Sequence, residues 1–196
     1  MSIRRSSRRA LLAAFALPFA LGACGYNTIQ SYDEQAAQAK QNIDAQLQRR
    51  ADLIPNLVST VKGFASQEEQ VLTAVTQARS GLVSALQKPG GSDPVELANA
   101  NAQLTGALGR LAVTVEAYPQ LKSDQSFLRL QDELTGTENR IAVARTDYNT
   151  AVRQYNEYIR KFPQVLTAKA TGAASRTYFE ITDKAAAEAP KVDFSR

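Results

Sequence analysis

The sequence contains no histidine and no tryptophan, and it has only one cysteine and one methionine. Without histidine the chain cannot form a Ser-His-Asp triad or a Cys-His pair, and most zinc, copper and non-haem iron sites lose their usual imidazole ligand. A single cysteine excludes an intrachain disulfide, an iron–sulfur cluster and a thiolate zinc site. We therefore expect a protein that is not an enzyme and that holds no cofactor or metal.

The charge of the chain is concentrated at its start. The formal net charge is +4, from 23 basic and 19 acidic residues. Four of the basic residues, Arg4, Arg5, Arg8 and Arg9, precede the first acidic residue, Asp33, which leaves 23 − 4 = 19 basic residues against 19 acidic ones. A neutral remainder predicts neither a nucleic-acid partner nor polybasic binding to a membrane.

The N-terminus has the pattern of an export signal. A cationic segment, residues 1–9, is followed by an apolar run at 10–20, which is shorter than the ~20 residues that a membrane-spanning helix needs. This pattern predicts a signal peptide over residues 1–23. The following letters, LGAC at 21–24, resemble a bacterial lipobox. The resemblance implies cleavage after Ala23 and attachment of lipid to Cys24, and two or more acyl chains hold a protein stably on a membrane.

Two finer features concern the export route and the destination. The letters SRRALL at 7–12 resemble a twin-arginine signal, but they also fit an ordinary cationic segment, so both export routes stay open. Gly25 follows the cysteine, where many lipoproteins kept at the inner membrane have aspartate. We expect a lipoprotein that faces the periplasm or the cell exterior, at the outer membrane if the source has one.

The mature chain has the composition and the breaks of long helices. It is rich in alanine, with 32 in the whole sequence, and prolines are few. Breaks are predicted at 88–94, 118–123 and 162–163, with Asp93 as an N-cap before Pro94 and with Ser123 or Asp124 as the next cap. Pro55 lies inside the first helical segment, where we expect it to kink or split the helix near Leu53.

Apolar residues recur at three- and four-residue steps between these breaks. The pattern predicts an all-α protein, an antiparallel bundle of three long helices plus a short fourth, with coiled-coil-like packing and an irregular C-terminal tail. We expect a bundle over 24–170 and a tail over 171–196. One long two-helix hairpin stays open, if the chain does not reverse at Pro119. The principal seam positions are Ile43, Leu47, Ile54, Val61, Leu72, Val75, Leu82, Leu97, Leu104, Leu111, Phe127, Leu130, Leu134, Ile141 and Tyr148.

Several segments resemble the LemA family and together cover nearly the whole mature chain. They are IDAQLQRRADLIPNLV at 43–58, TVKGFA at 60–65, EAYPQLK at 116–122, FLRLQ at 127–131, LTGTENRIAVARTDYN at 134–149, YFE at 178–180 and APKVDF at 189–194. The resemblance implies a membrane-anchored, extracytoplasmic helical bundle. Some members look associated with membrane proteases of the HtpX type, with envelope stress or with organelle assembly. Many members resemble proteins with an N-terminal transmembrane helix, whereas the N-terminus of this chain resembles a lipoprotein signal.

Two groups of polar residues lie beside the predicted apolar seams. We hypothesise that they meet across the bundle as a charge-paired network that fixes the register of the helices. The alternative is two ordinary solvated helix faces. Asp132 and Glu133 do not predict a di-iron site, because such a bundle also needs histidine. The candidate network consists of Arg50, Asp52, Asn56, Glu138, Arg140 and Arg145.

These observations predict a membrane-tethered helical adaptor or scaffold in cell-envelope organisation or stress. Its partners would be the membrane, through the lipid, and other envelope proteins. One alternative, which the family resemblance alone suggests, is a regulatory partner of an HtpX-type membrane metalloprotease. Another is a self-assembling, membrane-shaping module, a homo-oligomer in which Asn101 sets the register between chains.

Overall fold

The computed structural model describes residues 3–89 and 91–181, with side chains from residue 25 onward. These residues form six helices and no strand, so the predicted all-α bundle is confirmed. The helices are α1 (Ile3–Phe64), α2 (Glu69–Leu86), α3 (Pro94–Val115), α4 (Pro119–Lys122), α5 (Gln125–Tyr158) and α6 (Gln164–Thr171).

The chain divides into two compact units. The terminal unit comprises Met1–Ala39 and Asn149–Arg176, and the bundle unit comprises Lys40–Tyr148 and Thr177–Arg196. Both α1 and α5 therefore contribute residues to each unit. The helices α2, α3 and α4 belong to the bundle unit, and α6 belongs to the terminal unit.

A heptad repeat builds the core of the bundle unit. Along α5 the buried positions alternate between steps of three and four residues, which places one continuous stripe against the other helices. The stripe consists of Phe127, Leu130, Leu134, Thr137, Ile141, Ala144 and Tyr148. The same spacing on α1 buries Ile43, Leu47, Arg50, Ile54, Leu57 and Val61. Thr137 is a polar member of the α5 stripe, and Arg50 is a polar member of the α1 stripe. The Thr137 hydroxyl donates to the Leu134 carbonyl at 2.7 Å.

Pairs of contacting side chains give the direction of each helix in the bundle unit. On α1, Lys40 bonds Ser92, just before α3, and Arg50 bonds Asn101 within α3. From the first pair to the second, the residue numbers increase on both helices, so α1 and α3 run in the same direction. The order is reversed for α5, since Arg50 pairs with Glu138 and Gln46 with Arg140. Arg79 on α2 bonds the Ala51 carbonyl on α1, and α1 and α2 are joined by a short turn, so these two helices are antiparallel. Glu68, just before α2, bonds Tyr118, just after α3, so α2 and α3 are antiparallel as well.

The bundle unit is therefore an up-down-up-down four-helix bundle. The chain reverses around the single-turn helix α4, so the long two-helix hairpin is not formed. Asp93 caps α3 as predicted, because its carboxylate accepts from the Val95 N–H at 3.2 Å and Pro94 occupies the first turn. Asp124 caps α5 and accepts from the Phe127 N–H at 2.9 Å.

Of the two outcomes expected at Pro55, a split of the first helix is not seen, because α1 continues to Phe64. Proline has no N–H, so the carbonyl of Ala51, four residues earlier, loses its partner in the helix. Arg79 on α2 supplies a replacement, since its Nε donates to the Ala51 carbonyl at 2.9 Å. The chain instead turns at residues 65–68, a break that the sequence pattern did not predict.

The terminal unit has a small core of its own. Ile29, Tyr155, Ile159 and Ala168 are buried together, and the rings of the partly buried Tyr32 and Tyr158 pack against them. Helix α6 ends at Thr171 and is capped by Gly172, whose φ of 73° glycine adopts without strain. Beyond it, residues 173–181 form neither helix nor strand. The rest of the predicted tail, 182–196, lies outside the described residues.

Candidate functional site

Arg50 is the most deeply buried charged side chain among the described residues, with 4% of its surface exposed. It lies on the core stripe of α1, where the heptad repeat otherwise has apolar residues. Its Nη1 donates to Oδ1 of Asn101 on α3 at 2.6 Å and forms an ion pair with Oε2 of Glu138 on α5. One guanidinium therefore joins three of the four long helices of the bundle unit.

The charge of Arg50 is only partly compensated. Burial lowers the pKa of the Arg50 guanidinium, and the attraction of Glu138 opposes that effect. Glu138 follows the buried Thr137 on α5 and is not itself a member of the core stripe. Its side chain is 44% exposed to solvent. Arg50 Nε has no hydrogen-bond partner in the part of the chain that the structure describes. A guanidinium keeps its proton at any physiological pH, so Arg50 can position helices but does not act as an acid or a base.

The remaining predicted network residues lie elsewhere on the helices. Asp52 accepts from Gln48 on its own helix at 2.8 Å. Arg140 Nε donates to Gln46 Oε1 at 3.1 Å, on the exposed surface between α5 and α1. The structure therefore brings Arg50 and Glu138 together, and it places Arg140 in a separate surface contact. Two further residues are exposed and make no side-chain bond to the Arg50 cluster: Asn56 and Arg145.

Asn101 belongs to the Arg50 cluster, although the sequence prediction did not include it there. It is 9% exposed, and its Oδ1 accepts a hydrogen bond from the buried guanidinium. A signal was present, because Asn101 is a polar residue at a seam position of α3. Its partner could not be identified, since 51 residues separate it from Arg50.

A second arginine, Arg176, holds the segment after α6 in the terminal unit. Its Nε and Nη2 donate to the two carboxylate oxygens of Asp33 on α1, at 2.7 and 2.9 Å. Its guanidinium lies 5.9 Å from the ring centre of Tyr155. The Asn156 amide bonds both the N–H and the carbonyl of Arg176, each at 2.9 Å. We call this arrangement, Asp33, Tyr155, Asn156 and Arg176, the strap clamp.

The strap clamp shifts two pKa values. The hydrogen bond from Arg176 is the largest cause that lowers the pKa of Asp33, and burial opposes it. Burial is the main cause that raises the pKa of Tyr155, and the charge of Asp33 adds to it. The sequence prediction missed this clamp because Arg176 lies in the tail that we expected to be irregular.

The described residues offer little for other chemistry. They contain no group of three or more histidine, cysteine, aspartate or glutamate side chains that could hold a metal ion. Asp132 and Glu133 are exposed on α5. Over the same residues, no helix combines the length and the apolar character needed to cross a membrane. The predicted lipid site, Ala23 and Cys24, lies outside the residues whose side chains are described.

Comparison with known proteins identifies relatives along most of the chain. A model of the LemA family matches residues 39–194. Magnetosome protein MamQ 2 of Paramagnetospirillum magneticum is 30% identical over 185 residues, which cover 84% of this chain and 67% of the relative. Magnetosome protein MamQ of Magnetospirillum gryphiswaldense is 29% identical over the same span. Protein LemA of Metamycoplasma hominis is 26% identical over 137 residues, or 69% of this chain and 60% of the relative.

Proposed function

The chain belongs to the LemA family, and we propose that it is a non-enzymatic helical scaffold or adaptor, tethered to a membrane by lipid on Cys24. Family membership fits a non-catalytic, envelope-associated protein. The finer proposal is a lipoprotein that faces the periplasm or the cell exterior, at the outer membrane where there is one. Its partners would be the membrane and other envelope proteins.

The observation that carries the tether is the position of the one cysteine. Cys24 ends the letters LGAC, directly after an apolar run, and no other cysteine is available for lipid attachment. The first described residue beyond it, Gly25, is already buried within α1. A lipid at residue 24 would therefore join the folded chain without a flexible spacer.

The chemistry of the bundle unit supports a scaffold. Its most buried charged group, Arg50, cannot give up its proton, and it is engaged by Asn101 and Glu138. A buried ion pair contributes little net stability but can fix the alignment of helices. We propose that the Arg50 cluster sets the register of α1, α3 and α5, and so keeps the outer faces of the bundle in place for partner proteins.

Two alternatives receive unequal support. The relatives named magnetosome proteins favour a role in organising a cellular structure, because that name refers to a structure and not to a reaction. The role as partner of an HtpX-type protease has only the family resemblance behind it. Self-assembly through Asn101 loses its motivation, since Asn101 is bonded to Arg50 within the same chain.

Fatty-acid labelling tests the tether. Cells that express the full chain are grown with an alkyne analogue of palmitate, and the labelled protein is detected after a high-salt wash of the membranes. We expect label on the wild type and on a Gly25→Ser control, which keeps Cys24, and none on Cys24→Ser. An unlabelled wild type, or label that persists on Cys24→Ser, would disprove the lipid attachment.

A further inference from the structure

Among the residues whose side chains are described, the terminal unit exposes three large apolar ones. Phe162 is 80% exposed, Leu166 is 60% exposed and Tyr26 is 43% exposed. We call these three residues the α6 patch. Single exposed apolar side chains are ordinary on a protein surface, but a group of them marks a contact site.

The members of the α6 patch lie on α6 or next to it. The Val165 N–H donates to the Lys161 carbonyl at 2.7 Å, so the chain around Phe162 folds into one turn that leads into α6. A Cβ on Gly25, within α1, would lie 3.6 Å from Gln164 Cγ on α6. The backbone of Tyr26, which follows Gly25, therefore lies beside α6, the helix that carries Leu166. Residue 24, the proposed lipid site, directly precedes this contact.

The chain around the α6 patch is basic. Residues 158–179 contain four basic residues and no acidic one. Arg176 is paired with Asp33, whereas Arg160, Lys161 and Lys169 are exposed. The mature chain as a whole has balanced charge, so this segment is a local excess of positive charge next to the exposed apolar side chains.

We propose that the α6 patch contacts the lipid surface itself, as a second membrane attachment beside the lipid on Cys24. The apolar side chains would enter the boundary between headgroups and acyl chains, and the three exposed cations would face anionic headgroups. The combination of apolar and basic groups fits a membrane surface better than an apolar protein groove. This inference depends on the proposed function for the location of the anchor.

The absence of tryptophan provides a direct test. Phe162→Trp gives the full chain a single tryptophan in the patch. Val113→Trp is the matched control, because Val113 is 75% exposed on α3 of the bundle unit. Each variant, purified from membranes, is reconstituted into vesicles of phosphatidylcholine and phosphatidylglycerol, with or without lipids brominated on their acyl chains. A residue about 5–10 Å into the boundary should lose about half or more of its emission to the brominated lipid.

We expect quenching for Phe162→Trp and almost none for Val113→Trp. Equal emission of Phe162→Trp with and without brominated lipid would overturn the proposal, and it is also the result that a protein-covered patch would give. The mass of the same preparation reports the lipid on residue 24 independently. A lipidated chain without quenching would contradict the patch alone, and quenching of an unlipidated chain would contradict the anchor alone.

Vesicles of phosphatidylcholine alone test the contribution of charge. We expect quenching of Phe162→Trp to weaken when the anionic lipid is removed, and to weaken in the same way when Lys161 and Lys169 are both replaced by glutamine. Replacement of Arg129 and Arg153, which are exposed on α5, serves as the control for lost positive charge. Quenching that ignores both changes would overturn the role of the cations.

Discussion

The two units of this chain each contain an arginine that joins distant segments, but they use it differently. In the bundle unit, Arg50 is 4% exposed and is bonded by side chains from two other helices. In the terminal unit, the side chain of Arg176 is 27% exposed and ties an irregular segment to α1. A repeating apolar seam therefore holds the bundle unit together, whereas individual polar bonds hold the last segment of the terminal unit in place.

The units also differ in how they expose apolar side chains. In the bundle unit, exposed large apolar side chains occur on α1, α3, α5 and the segment after α6: Phe64, Val113, Leu128, Val143 and Ile181. In the terminal unit, Phe162 and Leu166 are four residues apart and more than half exposed. Burial in the bundle unit supplies stability, and we propose that exposure in the terminal unit supplies contact with the membrane.

We expect the largest loss of stability from a core substitution in the bundle unit, measured against a surface substitution in the terminal unit. Leu104→Ala removes a side chain with 0% exposure in the bundle unit and should lower the free energy of unfolding by about 2–5 kcal/mol. Leu166→Ala, in the terminal unit, should change it by less than about 0.5 kcal/mol. Urea denaturation followed by far-ultraviolet circular dichroism measures both. Similar losses for the two variants would break the comparison.

The next effect concerns the Arg50 cluster. Glu138→Gln leaves the buried Arg50 without a charged partner and should cost about 2 kcal/mol, less than a fully buried pair because Glu138 is half-exposed. Glu133→Gln, an exposed glutamate on the same helix, should cost less than about 0.5 kcal/mol. Equal unfolding free energies for the two variants would show that the buried pair contributes nothing.

Arg140→Met separates the three-residue cluster from the six-residue network that the sequence suggested. The exposed Arg140 bonds only the Gln46 side chain among the contacts described above, so its loss should cost less than about 1 kcal/mol. The same denaturation experiment gives the answer. A cost equal to that of Glu138→Gln would mean that Arg140 shares in fixing the register.

A smaller effect should couple Arg79 to Pro55. Arg79→Met leaves the Ala51 carbonyl without a donor and should cost about 1 kcal/mol or more. In a Pro55→Ala background the new N–H at position 55 can bond that carbonyl, so Arg79→Met should cost less. A double-mutant cycle measures the difference, which we expect to be about 1 kcal/mol. An identical cost in both backgrounds would refute the compensation.

The smallest effect is local and concerns the ion pair between Asp33 and Arg176 in the strap clamp, which depends on pH. The pKa of Asp33 in the folded chain lies below its usual 3.8, so its pair with Arg176 contributes stability above that pH and loses it as the pH falls through the lowered value. Near neutral pH, Asp33→Asn should therefore speed tryptic cleavage after Arg176, whereas Asp147→Asn, an exposed aspartate on α5, should not. Mass analysis of timed digests identifies the cut. Unchanged cleavage at Arg176 would contradict the clamp.

Sequence alone predicted the parts of the fold that follow from local pattern. The three- and four-residue spacing placed Ile43, Leu47 and Ile141 in the core, where the structure buries them. Asp93 before Pro94 predicted the start of α3. Each of these features depends on neighbours within one or two helical turns, so no knowledge of the tertiary structure was needed.

The features that sequence reasoning missed depend on contacts between distant residues. Pro55 interrupts helices in general, but here Arg79 satisfies the carbonyl that it leaves free. Asn101 was recognisable as a polar seam residue, but its partner Arg50 was not. The balanced charge of residues 24–196 likewise concealed the basic segment around α6, because a sum over the sequence does not show which charges lie together.

We propose above that the helical protein is held at a membrane through residue 24. The most direct measurement is the intact mass of the protein extracted from the envelope of cells that express the full chain. We predict a chain that begins at Cys24 and carries the added mass of a diacylglycerol, with or without a further acyl chain. An unmodified residue 24, or a chain that still carries residues 1–23, would contradict the claim.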